Sequence, residues 1–539
     1  MISTTVPVAL DSFDSYFGTF PGAKGIPPGE CMPLDASNPS LGCVRSYHTT
    51  NFTNIDLQHD FQSSIISEDG GKMDNFIVGE EGQNSTMAYQ DNATIPNYWT
   101  FAKNYVLADD FFSSVHGWSM PNHWYSIAGQ APEISIPTFI NPNTAQSTKT
   151  KYLQESNATG TVVDIINGTG TVSWKYYDLN FGNIIPGGYA AAKANGYVYD
   201  FWNPFSAKAS TYTASYSPHF VPHTQIFADL QSNQLPQISW VIPPDFLSEH
   251  DPASSHVGMI WTTDVIDAIM NSTAWNSTAI ILTWDDYGGY YDHVQPLNLD
   301  YNGSGERVPA LIISPYAKTG YIDHTPYIFE STLKMMEWKF NMTSLTARDA
   351  NANNLLNAFD FTQTPRSPTP IHLSADDLLQ LTPFYLIPNT GHVGDTITFI
   401  GNGFSPLERG TVTFKNAFVA SGIANSTGTI VTTFKVPPSP ADVKLPFWVV
   451  VPVGVPVVAV PVNVMVLSAN GALKSESTKF ILLTMFTWNV WPHFTEVSLK
   501  AGVEIAVECG AIVMVDVVGP VRRYLLSPLN VTVTCPSPT

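Results

Sequence analysis

A chain of 539 residues with 44% hydrophobic content can bury more than one core, yet only 13% of it is charged, about half the usual share for soluble domains. Its 24 Lys and Arg stand against 45 Asp and Glu, and a net charge of −21 excludes the basic footprint that nucleic acid requires. At about 100–200 residues per domain, two or three domains are expected.

Polar surface must therefore come from uncharged side chains, and Asn-x-Ser/Thr sequons recur from Asn51, Asn84 and Asn92 through Asn271 and Asn302 to Asn530. Their spread, with so few charges, favours a secreted or cell-surface glycoprotein. Met1 to Leu10 carry neither a basic n-region nor a long apolar h-region and do not read as a signal peptide. Cys31 and Cys43 sit in one Pro/Gly-rich loop, and Cys509 and Cys535 lie near the end. Two local disulfides are the natural pairing in an oxidising compartment.

Along the chain, the first segment that reads as a helix N-terminus is His116 to His123, with Pro121 placed as the first residue of a helix running through Tyr125 to Ala128. Ser119 then lies just outside that end, where amides and helix dipole favour an anion. A serine there can act as a nucleophile, given a base or metal to take its proton. Asn122 and His123, on the same turn, are candidate substrate-binding side chains. Continuous apolar runs at Ile238–Ile242, Ala279–Trp284 and Pro309–Ser314 have the pattern of parallel strands buried on both faces. Helical spacing marks Thr262–Met270 and Ser331–Phe340. Strands alternating with helices predict an α/β domain with an open, mostly parallel sheet, whose ligands sit beyond the strand carboxyl ends.

The run at Ala279 ends in Asp285-Asp286 and then Gly288-Gly289. Adjacent carboxylates at a strand end are costly unless a counter-charge meets them, and a divalent metal ion is one answer. A hydrated acidic loop is the other. His59, His250, His293 and His324 are the further candidates for chemistry, each alone being more often structural.

Residues 362–378, rich in Pro, Thr and Ser, read as a linker between a domain at 1–361 and an all-β remainder. Short Val/Thr/Phe runs at 379–468 fit an immunoglobulin-like β-sandwich, with a second β-rich unit at 469–539. The apolar run from Phe447 to Leu467 is interrupted by Pro452, Pro456 and Pro461, which favours strands over a transmembrane helix.

Taken together, Ser12 to Gly22, His59-Asp60, Gly71 to Asn75, Ser119 to Asn122, Leu235 to Trp240, Ser248 to His250, Trp284 to Val294, Arg307 to Pro309, Ile313 to Pro315 and Arg348-Asp349 resemble the phosphoesterase family of bacterial and archaeal phospholipases C and acid phosphatase. The resemblance runs nearly colinearly to about Phe361. It implies an alkaline-phosphatase-like fold and a metal-dependent phosphoric ester hydrolase acting on a phosphate ester or phospholipid. Ser119 would be the nucleophile and Asp285 and Asp286 metal ligands. His59 and His250, and less directly His293 and His324, would bind phosphate or transfer protons. Where that family has Glu-Asn ligands this chain has Ala9 and Leu10, with Asp11 as the candidate substitute. The alternative this raises is a catalytically decayed phosphoesterase serving as a surface-layer, sheath or filament subunit. The β region would then be the candidate for self-association or cell-surface attachment. Lys149 to Tyr199 fall where specificity loops are expected and carry no readable code.

Overall fold

The order of the apolar runs is realised as an eight-stranded sheet in the computed structural model, which describes residues 2–5, 11–132, 159–170, 172–178, 202–208, 213, 215–244 and 247–381. Beyond these it describes the strand segments 384–387, 390–391, 396–401, 409–414, 417–423, 430–435, 445–450, 464–467 and 473–476. The sheet strands are β1 (Ile2–Thr5), β2 (Val106–Ala108), β3 (Trp174–Tyr177), β4 (Phe220–Val221), β5 (Ile238–Val241), β6 (Ala279–Thr283), β7 (Ala310–Ile313) and β8 (Tyr321–Asp323). Their spatial order is β8-β2-β7-β6-β1-β5-β3-β4. Strand β1 pairs in parallel with both β6 and β5, so it lies between them.

The run at Pro309 departs from expectation. As β7 it is antiparallel to both of its neighbours, β6 and β2. It follows the loop that carries Arg307, and that loop returns the chain from the site edge of the sheet. Burial explains the composition: every residue of β6 and β7 is buried, so neither run alternates with polar residues.

Helix α1 (Phe13–Phe17) is capped by Ser12, whose Oγ accepts from Ser15 N at 3.1 Å. Asp60 caps α2 (Phe61–Glu68) by accepting from Ser63 N at 2.8 Å. Helix α3 (Ser119–Ala128) begins at Ser119, so Pro121 is its third residue rather than its first. Helices α4 (Ser255–Met270) and α5 (Phe329–Phe340) extend the two predicted helical stretches toward their N-termini.

Two compact units divide after Leu378. The stretch expected as a linker is fastened to the first unit. Arg366 N donates to Pro315 O, its guanidinium lies 4.5 Å from the Tyr105 ring centroid, and Asp267 accepts from the amides of Ile371 and His372. In the second unit the described strands pair antiparallel, in a three-stranded and a six-stranded sheet. Leu473–Glu476, expected to open a separate unit, pairs with Val464–Leu467. Leu445–Val450 and Val464–Leu467 are strands, and among the described residues no helix is long and apolar enough to cross a membrane. Cys31 and Cys43 form a disulfide; Cys509 and Cys535 lie outside the described residues.

A buried ion network ties the site loops to the sheet. Arg307 is fully buried and forks onto Asp292, with Nε at 2.9 Å and Nη2 at 3.0 Å, while Nη2 also reaches Asp14 Oδ1 at 3.1 Å. Its Nη1 donates to the carbonyls of Asp109 and Lys24, and its face lies 4.5 Å from the Phe13 ring centroid. Removing that cation strands two buried carboxylates. Arg307→Ala is expected to lower unfolding free energy by about 3–5 kcal/mol, read from denaturant midpoints; a change under ~1 kcal/mol would mean the network is not a fastening.

Candidate active site

The carboxyl ends of β2, β5 and β6 all open on one edge, because β7 alone runs against the others. After β6 comes Trp284 and then Asp285 and Asp286, both fully buried. The loop after β2 leads to Ser119, whose Oγ lies 3.3 Å from Asp286 Oδ2. Ser119 is itself buried, as the first residue of α3.

Two glycines allow this approach. Gly289 has φ +78, and a Cβ there would stand 2.5 Å from Leu57 Cβ and 2.9 Å from Gln58 O. Gly117 has φ +115, and its Cβ would lie 3.1 Å from Phe61 N. The segment Leu57 to Phe61, which contains His59, is therefore wedged against both the Ser119 loop and the Asp285 turn. No side chain larger than hydrogen fits at Gly289 without moving backbone.

Electrostatics single out one spot. Both carboxylate oxygens of Asp285 and the Nε2 of His123 are buried without a hydrogen-bond partner among the described residues, and they approach each other to 3.6 Å. Orphaned buried charges of this kind are rare unless something else meets them. Burial, and next the charge of Asp285, push the Asp286 pKa well above the ordinary carboxylate value. The donors of Ser119, Asp285, Asp286 and His123 fit a divalent cation, a mixed oxygen and imidazole set suited to zinc or another first-row metal.

His59 and His250 face each other edge-on at 5.5 Å between ring centroids. Burial, then the neighbouring His250, hold the His59 pKa below its usual value, and Asp285 is among the charges acting on it. Asp56 joins them: one ligand atom from each of Asp56, His59 and His250 lies within 4.8 Å of the others. Composition gave no reason to single out Asp56; the only trace in the chain is its Asp-x-x-His spacing to His59.

Other expected site residues have different partners. Asn122 Oδ1 accepts from the amides of Ser114 and Val115, at 2.9 and 3.1 Å, and its Nδ2 donates to the Val115 carbonyl at 3.3 Å. That amide ties down the backbone of the loop that leads to Ser119. His123 points to Asp285. His293 Nδ1 lies 2.6 Å from Asp14 Oδ2, within the Arg307 network. Asp14, Asp292 and His293 are clustered closely enough to ligate an ion, but Arg307 already supplies the positive charge. His324 is half exposed and bonds Asp109 at 2.8 Å. Asp11 bonds Ser15 Oγ at 2.9 Å, and the charges acting on it are Asp251 and Glu249 rather than Asp285 and Asp286. It lines a cleft of about 160 Å³ with Asn54, Glu249, Asp251 and Tyr290. Ala9 and Leu10 lie outside the described residues, as does most of Lys149 to Tyr199.

A strand-end carboxylate pair, a serine on a helix N-terminus and histidines across from them define a hydrolase of the α/β class. The phosphoesterase family model matches residues 11–343, and the chain belongs to that family. It is a phosphoric ester hydrolase. Phospholipase C B of Mycobacterium tuberculosis is 26% identical over 419 residues, covering 67% of this chain and 77% of the relative. Non-specific phospholipase C1 of Arabidopsis thaliana is 24% identical, covering 68% and 73%. The non-hemolytic phospholipase C of Burkholderia pseudomallei is 25% identical, covering 65% of this chain and 57% of its own length. Among solved structures, murine ectonucleotide pyrophosphatase / phosphodiesterase 5 aligns with 49% of this chain and 95% of its own at 9% identity and TM-score 0.31. A protein in the alkaline phosphatase superfamily from Vibrio parahaemolyticus aligns over 77% and 87% at 11% identity and TM-score 0.29.

The site loops rest on acids made weak by burial. Glu80 is pushed up to about 9, and Glu306 and Glu330 each to about 7, with burial as the main cause. Such carboxyls hold protons more tightly folded than unfolded, so the stability they confer is full below about pH 4 and lost as the pH rises through their folded values. The denaturation midpoint is expected to fall between about pH 5 and about pH 9, and Glu80→Gln to flatten that slope. A midpoint that rises over the range would contradict the assignment.

Proposed function

We propose that the first unit, an α/β domain of the alkaline-phosphatase-like kind, hydrolyses a phosphate ester or phospholipid through a phosphoserine on Ser119. The observation that carries this is the approach of Ser119 to Asp286 beside the orphaned Asp285 and His123. A divalent cation held by Ser119, Asp285, Asp286 and His123 would neutralise phosphoryl oxygens and acidify the serine. His123 then provides a donor in a chain that has Ala9 and Leu10 where the family pattern has Glu-Asn.

The proton and bond changes are shared between the chain's own groups and solvent. Ser119 Oγ forms a bond to phosphorus as the bond to the leaving oxygen breaks, and the serine proton passes to Asp286 Oδ2. Asp286 Oδ2 is the acceptor already facing that hydroxyl, 3.3 Å from Ser119 Oγ. The helix N-terminus behind Ser119 favours the phosphoryl charge. The leaving oxygen departs toward the wall of His59 and His250 and takes a proton from solvent to end as an alcohol. Water then attacks phosphorus and gives up a proton to solvent, the Oγ–P bond breaks, and the proton on Asp286 returns to Ser119. Asn122 keeps the loop in register.

A decayed scaffold would be expected to have lost the nucleophile or a carboxylate, and this chain keeps both beside the histidines. The Cys31–Cys43 disulfide supports an exported setting. Ser119→Ala is expected to cut turnover of an aryl phosphate by about 10³-fold or more with an unchanged denaturation midpoint. Full turnover in that variant would remove Ser119 from the reaction.

A further inference from the structure

Helix α5 ends at Phe340, and Asn341 follows it with φ +53, so the chain leaves the helix through a left-handed residue whose backbone N–H donates to Glu337 O. Asparagine is the residue besides glycine that closes helices this way, which accounts for its type at this position. Capping does not account for Thr343, which completes an Asn-Met-Thr sequon. Asn341, Thr343 and Ser344 are all exposed, and neither the Asn341 carboxamide nor the Thr343 hydroxyl has a hydrogen-bond partner among the described residues. Three other sequon asparagines are engaged. Asn92 Oδ1 accepts from Lys103 Nζ at 2.8 Å, Asn167 Oδ1 from Trp174 Nε1 at 3.0 Å, and Asn302 Nδ2 donates to Tyr125 OH at 3.2 Å.

An open aromatic surface stands beside that free amide. Trp338, in the last turn of α5, is 53% exposed, and its ring stacks at 6.4 Å on Phe361, which is 54% exposed. Phe361 in turn lies 5.4 Å from Phe359 and 5.9 Å from Tyr316. Positions three apart on a helix are neighbours, which brings the Trp338 ring to the helix end that Asn341 closes. Paired rings left open to water in this way mark a surface that something covers. Tyr316 follows the carboxyl end of β7, the strand that runs against its neighbours, so the patch lies at the sheet edge opposite Ser119 and the carboxylate pair. Whatever covers it leaves the catalytic edge open.

We propose that Asn341 carries an N-linked glycan and that the first sugar of this glycan covers Trp338. In the transfer, Asn341 Nδ2 bonds to the anomeric carbon of a sugar supplied on a lipid-phosphate donor. The bond from that carbon to the donor's phosphate oxygen breaks, and Nδ2 loses one proton. Thr343 is the second half of the recognition element. The C–H face of a pyranose is apolar and lies on an indole as a second ring would. The Cys31–Cys43 disulfide supports the oxidising, exported setting in which such a transfer takes place. The proposal stands independently of the phosphoesterase reading.

The test exports the full chain from a host that attaches N-glycans, alongside a secreted glycoprotein as control, and weighs the peptides that span Asn341 by mass spectrometry. A sugar mass on Asn341 is expected, and it should be absent from Thr343→Ala protein. Enzymatic deglycosylation is then expected to lower the thermal midpoint of the native chain by about 1–3 °C, the shift that an aromatic contact gives in a domain of this size. The same treatment of Trp338→Ala protein should leave its midpoint in place. Asn341 unmodified in a preparation whose control carries its glycan would overturn the proposal. A glycan whose removal shifts the midpoint equally with and without Trp338 would overturn the stacking and keep the modification.

Discussion

Two carboxylates cannot both stay ionised in a dry site without a counter-charge, and Asp285 and Asp286 are both fully buried at the end of a central strand. The rest of the site follows from that constraint. The glycines at 288 and 289 turn the chain back over the pair, and the segment Leu57 to Phe61 closes onto Gly289 because nothing larger fits there. Ser119 reaches Asp286 only because Gly117 lets its loop pass Phe61. Asn122 then locks that loop by hydrogen bonds to its own backbone. Each step brings a polar group toward the pair, yet Asp285 is left without a hydrogen-bond partner among the described residues. His123 Nε2, 3.6 Å away, is the described group of opposite character nearest to it.

The same turn solves the same problem a second way a few residues on. Asp292 is as buried as Asp285, and it is answered inside the fold by the bidentate fork of Arg307. Arg307 also gathers Asp14, which in turn holds His293. That contrast separates structure from chemistry along Trp284 to Val294. Where a side-chain cation is built in, the cluster is a fastening; at Asp285 no hydrogen bond from a described residue reaches the carboxylate.

The strands Ala279–Thr283 and Ile238–Val241 were legible because continuous burial leaves a continuous apolar run, and a run ending in two acids marks a site edge. Strand direction was not legible: β7 has the same apolar composition as β6 and runs the other way. Ser119, Asp285 and Asp286 could be chosen from local chemistry, since the helix N-terminus and the glycine turn are written beside them. The histidines could not be sorted that way. His293 sits inside the motif but answers to Asp14, and His324 answers to Asp109, both set by contacts from distant segments. Asn122 and His123 are neighbours whose side chains leave α3 in different directions, one to its own loop and one to Asp285. Asp11 has the right chemistry for a ligand, and only the folded chain shows that Glu249 and Asp251 are the charges around it.

Tautomers complete the division of labour around the phosphoryl position. On one side, Asp286 Oδ2 faces the Ser119 hydroxyl at 3.3 Å. On the other, His59 and His250 have spent their ring protons on the backbone carbonyls of Leu57 and Asp251. Each ring is thereby held in one orientation by the backbone of its own loop before any substrate arrives.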